Sequence, residues 1–349
     1  MQNMRAVVFQ GPGNIIVEDR AVPQILDPKD AIIKVKVAGV CGSDLHFYRG
    51  HEKVQANFIP GHEFVGSVHA IGADIKKLKV GDDVVSPFTT QCGNCYYCER
   101  GQTSRCEKGL LFGSCGTGPD GGQAEFVRVP FADSTLVHAP GSISSDLLIL
   151  MSDIFPTGYF CASRFLKNMS AQEAQNSVVA VVGCGPVGIC AIASALTCCP
   201  NVYAIDMVPS RLAEAEKIGA KPLLLDKDPE STIKAATGGR GADVALEVVG
   251  TEEAMQVCLS LIRPFGFVSC VGVRHGDYII PGSLVYSKNA TIAWGRCPVG
   301  GIFEEALGCL VKVQDKVSFL CDLHMSLEDA PRAYDIFNRR KVHKVILKV

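Results

Sequence analysis

The stretch VVAVVGCGPVG, Val178–Gly188, decides how the chain is read. It continues as ICAIASAL, so nineteen residues to Leu196 carry no charge, a length that hydropathy alone would give to a membrane span. The punctuation argues otherwise. Gly183, Gly185, Pro186 and Gly188 interrupt the run, and a buried strand turning into a buried helix has the same hydropathy. Gly183-x-Gly185-x-x-Gly188 follows a five-residue apolar run and opens an apolar helix, the context in which this spacing cradles a pyrophosphate. Gly183 allows the tight turn, Gly185 lets the backbone approach the phosphates, and Gly188 lets helix and strand pack closely; Pro186 and Val187 begin the helix whose positive end faces them. NVYAID ends in Asp206, eighteen residues after Gly188. A carboxylate there accepts hydrogen bonds from adenosine ribose hydroxyls and repels a 2′-phosphate, so NAD is expected rather than NADP. Arg211, five residues on, is placed to stack on adenine, or to pair with a 2′-phosphate should Asp206 be turned away.

Outward from this stretch the chain keeps a βα rhythm. NVYAID, SRLAEAEKIG, KPLLLD, a helix to Thr237, DVALEVVG, TEEAMQVCLSLI and FGFVSCVGV alternate strand-like and helix-like segments. The alternation predicts a Rossmann-type, doubly wound parallel sheet with crossover helices. Val271, Gly272 and Val273 end the fifth strand of the series, so their backbone is expected at the carboxyl edge, against a nicotinamide carboxamide. Upstream the pattern is β-rich: MRAVVFQ, a GPG turn and IIVEDR read as a hairpin, and AIIKVKVAGV, VGDDVVS and AEFVRVP as further strands. Downstream, Arg296 lies just beyond another strand, placed for the cofactor or a subunit neighbour; IFEEALGCLVK reads as a helix and HKVILKV as a closing strand. The expected division is a β-rich domain of residues 1–154 and 296–349 and an NAD-binding domain of residues 155–295.

With 349 residues, 47% of them apolar and 20% charged, the chain has material for two cores. A formal net charge of −2 leaves no basic excess for a nucleic-acid backbone. Met1–Phe9 carries Arg5 and runs straight into a strand pattern, unlike a signal peptide. A cytoplasmic protein without a membrane partner is expected, where thiols stay reduced and clustered cysteines hold metal more often than disulfides.

Four of the 16 cysteines crowd into CGNCYYCERGQTSRC, as Cys92, Cys95, Cys98 and Cys106. Four thiolates in one loop can close a tetrahedral shell around zinc and leave no open position, so the metal would fold the loop rather than do chemistry. Iron–sulfur clusters use similar gaps, but nothing else in the chain suggests electron transfer. Cys184, Cys190, Cys198 and Cys199 are expected to be buried small hydrophobes. His51, His69, His138, His275, His324 and His343 receive no role.

Three other segments could build an open site: GVCGSDLH with Cys41, Ser43 and His46; GHEFVGSVHAIG with His62 and Glu63; and MSDIFPTGY with Asp153. Here the chain resembles the zinc-dependent medium-chain alcohol dehydrogenases. GHE followed by Gly66 and Gly72 is similar to that family's zinc signature, and the four-cysteine lobe comes between it and the glycine fingerprint, as in the family. The resemblance covers essentially the whole chain. GGQAEFVRVPFAD, MSDIFPTGY and GRCPV look most like the glutathione-independent formaldehyde dehydrogenase branch.

The resemblance implies a GroES-like fold for the β-rich domain, and Cys41, His62 and Asp153 as ligands of a catalytic zinc. Asp153 stands where many members have cysteine. Glu63 is implied either as a ligand that comes and goes or as a carboxylate orienting the site. Ser43 and His46 are implied to relay the alcohol proton by way of the nicotinamide ribose to solvent. Thr157 is placed near the nicotinamide, with a helix cap as its alternative role. Two zinc ions per chain, one catalytic and one structural, and NAD are the expected cofactors; an alcohol or carbonyl compound is the expected small-molecule partner; and a homodimer or homotetramer is expected. An NAD-dependent alcohol dehydrogenase follows. The alternatives are an aldehyde dismutase or formaldehyde dehydrogenase, whose long insertion buries the adenine and which this chain is expected to lack, and a non-catalytic nucleotide binder, against which the intact ligand set argues.

Overall fold

In the computed structural model, which describes residues 2–114, 118–273 and 277–349, the uncharged stretch divides at its glycines. Val178–Val182 is a fully buried strand, residues 183–185 turn, and Pro186–Ala195 is a helix with a buried body. Among the described residues no helix is long and apolar enough to cross a membrane. His275 lies outside the described residues.

The chain forms two compact units. One comprises Ile154–Cys297 and Glu304–Val317. Its six strands are parallel, in the order Lys221–Leu224, Asn201–Asp206, Val178–Val182, Ala242–Glu247, Ile262–Cys270 and Thr291–Trp294. Numbered along the chain this is 3-2-1-4-5-6, the doubly wound order that binds dinucleotides where the order reverses. Helices cover both faces of such a sheet, which is why the central strands are continuous apolar runs rather than alternating ones. Ala180, Ile205, Ala245, Met255, Leu259 and Val268 lie in its core.

The other unit comprises Met1–Asp153, Pro298–Phe303 and Ser318–Val349. An antiparallel hairpin, Asn3–Gly11 with Asn14–Ala21, precedes a seven-stranded sheet. Ala31–Val40 is central: it pairs antiparallel with Phe64–Ile71, with Phe126–Val129 and with the chain-terminal strand Val345–Lys348. Ile33, Phe64, Phe112, Tyr334, Val345 and Leu347 pack into one core. The alternation of AIIKVKVAGV holds only in the middle, at Lys34 and Lys36, because both ends of the strand are buried.

The tail does not return whole. Glu304–Val317, most of the helix Val299–Val317, belongs to the dinucleotide-type unit and not with residues 1–154. Ala306, Leu310, Val313 and Val317 form its buried stripe. Lys316 Nζ donates to the Ile218 carbonyl at 3.0 Å, and Tyr159 Oη donates to Glu305 at 3.2 Å. The side chains of one helix face thus set the allegiance of this segment. Cys198 also departs from expectation: the helix stops at Ala195, and Cys198 is exposed in the turn beyond, while Cys184, Cys190 and Cys199 are buried.

Candidate active site

Strand pairing builds the first cluster. Ala38 lies opposite Phe64, and Gly39 N–H donates to the Glu63 carbonyl at 3.0 Å, so Cys41 at one strand's end meets His62 and Glu63 at the other's start. Asp153 ends the short 3-10 turn Ile149–Ser152, whose Ser152 carbonyl accepts from Phe88 N–H at 2.9 Å. The ligand atoms of Cys41, His62, Glu63 and Asp153 all lie within 4.8 Å of one another. Cys41 Sγ is 3.8 Å and His62 Nε2 3.4 Å from Asp153 Oδ2. A tetrahedral ion with bonds of about 2.0–2.3 Å spaces its ligands by roughly 3.3–3.8 Å, so this donor set fits zinc.

Buried polar groups orient the cluster. His62 Nδ1 is 3.4 Å from Asp44 Oδ1, which leaves Nε2 facing Asp153. Asp44 Oδ2 accepts from Cys41 N–H at 2.9 Å and from Gln123 Nε2 at 3.5 Å, and Gln123 Oε1 accepts from Tyr334 Oη at 2.9 Å. Burial works against a charged His62, yet Asp44, Cys41 and Asp153 outweigh it and hold the imidazole well above its ordinary pKa. Glu63 is fully buried, and its Oε2 stands 2.5 Å from Lys344 Nζ, itself only 2% exposed. The two form a buried ion pair, and among the described residues Glu63 Oε1 has no hydrogen-bond partner. Burial lowers the Lys344 pKa, but the Glu63 carboxylate more than reverses this and keeps the ammonium charged.

The second cluster is local. Cys92, Cys95, Cys98 and Cys106 place their sulfurs within 4.8 Å of one another, unpaired as disulfides, with Cys95 and Cys106 Sγ 3.9 Å apart. That is close to the edge of a tetrahedron of zinc–sulfur bonds of about 2.3 Å. Two short 3-10 turns, Cys98–Arg100 and Thr103–Arg105, fold the loop back on itself. Hydrogen bonds at the Glu107 and Cys98 backbone pull the Cys95 thiol down to about 6, while burial pushes Cys98 up to about 12.

The glycine turn has the shape of a phosphate cradle. Gly183 has φ +102°, a Cβ on Gly188 would lie 2.0 Å from the Gly183 carbonyl oxygen, and a Cβ on Gly185 would meet nothing within 4 Å. Gly185 therefore borders open space at the N-terminus of Pro186–Ala195, where Val187 occupies the first turn. Asp206 ends its strand; Oδ2 accepts from Cys184 N–H at 2.7 Å and Oδ1 from Val208 N–H at 2.9 Å. Arg211 is 3.8 Å from Asp206, paired with it rather than opposed to it.

Of the remaining predicted residues, Ser43 is exposed, with Oγ 3.3 Å from His62 Nε2. His46 lies in the helical turn Asp44–Tyr48 rather than in an open loop. Thr157 is inside the helix Ile154–Leu166, one turn from its start, so it is not the cap. Val271 is buried, Val273 is 67% exposed, and Arg296 is exposed beyond Thr291–Trp294. Sequence reading passed over Asp44, Gln123 and Lys344. Asp44 carried a signal, an acid three residues after a ligand; the other two have none short of the folded sheet.

Two family models match: an alcohol dehydrogenase GroES-like domain over residues 27–141 and a zinc-binding dehydrogenase domain over residues 186–310. The chain is 45% identical to zinc-type alcohol dehydrogenase B of Aspergillus flavus, over 99% of this chain and 81% of that one. It is 29% identical to the glutathione-independent formaldehyde dehydrogenase of Pseudomonas aeruginosa over 397 aligned positions, covering 99% and 98%. The solved structure of alcohol dehydrogenase TADH from Thermus sp. ATN1 superposes with a TM-score of 0.92 at 36% identity, covering 99% of this chain and 100% of that one. The two matching domains, the parallel sheet and these relatives show that the chain belongs to the zinc-dependent medium-chain alcohol dehydrogenase family.

Proposed function

We propose that this zinc-binding oxidoreductase oxidises a primary or secondary alcohol to an aldehyde or ketone, reversibly, with free NAD as the exchanging hydride acceptor. The observation that carries it is the coexistence of a buried Cys41–His62–Asp153 donor set with a glycine cradle followed by Asp206. Cys41, His62 and Asp153 would hold a zinc ion, which would supply a Lewis acid for the alcohol oxygen. NAD supplies the hydride acceptor. Asp44 holds the His62 Nδ1 proton, fixing the tautomer that presents Nε2. Ser43 Oγ takes the substrate hydroxyl proton as it gives up its own, and His46 delivers a proton to solvent, an imidazole being suited to proton transfer near neutrality. Glu63, tied to Lys344, orients the site and has an oxygen to spare for the metal. Thr157, Val271, Val273 and Arg296 are assigned to the nicotinamide half of the cofactor, with Gly183, Gly185, Pro186, Val187 and Gly188 on the pyrophosphate. Cys92, Cys95, Cys98 and Cys106 would hold a second, structural zinc.

Asp206 accepts from two backbone N–H groups at its strand end, and an acid there can accept from ribose hydroxyls, which favours NAD over NADP. A homo-oligomer fits the edge strand Thr291–Trp294, which among the described residues pairs on one side only, beside exposed Ile279 and Tyr286. Unpaired thiols suit the cytoplasm.

The dismutase alternative keeps its cofactor bound. The alignment with formaldehyde dehydrogenase spans 397 positions against 349 residues here, so at least 397 − 349 = 48 positions have no counterpart in this chain. A shorter chain with less to close over the adenine favours exchange. Purified protein given alcohols and NAD or NADP tests this. NADH accumulating in solution supports the proposal; aldehyde dismutation without free NADH contradicts it.

A further inference from the structure

We infer that Glu247 is a positioning residue for the nicotinamide half of the dinucleotide: its buried carboxylate fastens the strand-end loops at residues 248–250 and 271–273. The inference rests on the dinucleotide reading above. Glu247 ends the strand Ala242–Glu247, beside the point where the strand order reverses, and is fully buried. Oε1 accepts from Val249 N–H at 2.9 Å and from Gly250 N–H at 2.7 Å. Oε2 accepts from Cys270 Sγ at 2.9 Å, on the neighbouring strand. The main-chain carbonyl of the same residue accepts from Val271 N–H at 3.0 Å and Gly272 N–H at 3.3 Å. One residue therefore holds both loops, through its side chain and its backbone.

A carboxylate without a cation is costly to bury, and no ion pair to Glu247 exists among the described residues. Donors offset that cost: two backbone N–H groups and a thiol. Burial and the Glu247 charge both push the Cys270 thiol up, so it stays protonated and donates. Packing shows why the loops cannot drift independently. A Cβ on Gly272 would lie 2.2 Å from Gly250 N and 2.4 Å from Glu247 Oε2, and a Cβ on Gly250 2.4 Å from the Val273 carbonyl oxygen. A Cβ on Gly183 would lie 2.5 Å from Val249 Cγ2. The loops after the first, fourth and fifth strands thus abut, with Glu247 at the joint. Dinucleotides lie against these carboxyl ends, and backbone groups there set the nicotinamide orientation. The ribose acid Asp206 is on a different strand, so the adenosine half is independent of this fastening.

The test separates the two halves of the cofactor. NADH and ADP-ribose are titrated calorimetrically into wild type, Glu247→Gln, Cys270→Ala and Cys270→Ser, with Tm recorded for each. The expected result is a loss of NADH affinity of about tenfold in Glu247→Gln, the scale of a lost buried hydrogen bond, with ADP-ribose affinity within about twofold of wild type. Cys270→Ala shifts the same way by less, and Cys270→Ser, which keeps a donor, restores NADH binding. Should Glu247→Gln fail to fold, the Cys270 pair carries the test. Equal loss of both ligands, or loss of neither, overturns the inference and leaves the dinucleotide reading intact. Wild type binding neither ligand overturns that reading and the inference with it.

Discussion

Cys92, Cys95, Cys98 and Cys106 lie within fifteen residues on a partly exposed loop, whereas Cys41, His62, Glu63 and Asp153 come from three segments up to 112 positions apart and are mostly buried. The local cluster sits on a partly exposed loop folded by two 3-10 turns, so a metal bound there would contribute to the order of the loop. The dispersed cluster is held by a sheet, by the Asp44–Gln123–Tyr334 chain and by the Lys344–Glu63 pair, so a metal bound there would contribute less to the fold around it.

Removing ligands should therefore have unlike effects. Cys41→Ser is expected to lower turnover by about a thousandfold or more, because the Lewis acid is lost, while Tm shifts by only a few degrees; steady-state rates and a thermal melt check this. Lys344→Met leaves the Glu63 charge buried without its partner and is expected to cost about 3–5 kcal/mol in denaturant unfolding. Most of that loss should return in the double variant with Glu63→Gln, and no recovery would show that Lys344 acts through packing alone. Asp44→Asn removes the acceptor that orients His62. Zinc affinity, measured by chelator competition, should fall by about 10- to 100-fold, with the lobe cysteines unaffected. Smallest on chemistry is Cys95→Ser: the lobe becomes protease-sensitive, and turnover per remaining zinc persists. Equal loss of turnover in Cys95→Ser and Cys41→Ser would erase the contrast between the sites.

The same contrast explains what the sequence disclosed. The cysteine cluster was legible because its four thiols share one turn-rich loop, and the glycine turn because its three glycines have separate steric duties around it. The doubly wound sheet followed from apolar runs alternating with helices. The dispersed ligands emerged only through family resemblance, since nothing in GVCGSDLH or MSDIFPTGY by itself says that strand register brings them together. Lys344 stayed hidden because a lysine near a chain end reads as solvated, and only the folded sheet reveals that it is 2% exposed. Glu247 reads as an ordinary strand end until Cys270 is placed beside it. Glu304–Val317 joined the other unit because allegiance is decided by which face packs where, which periodicity does not encode.

Zinc per chain, counted by elemental analysis in wild type and in Cys41→Ser, tests the central claim most directly. The account predicts two ions in wild type and one in the variant, the survivor held by the lobe. A wild type with a single ion, or a variant that keeps both and still turns over, would contradict it.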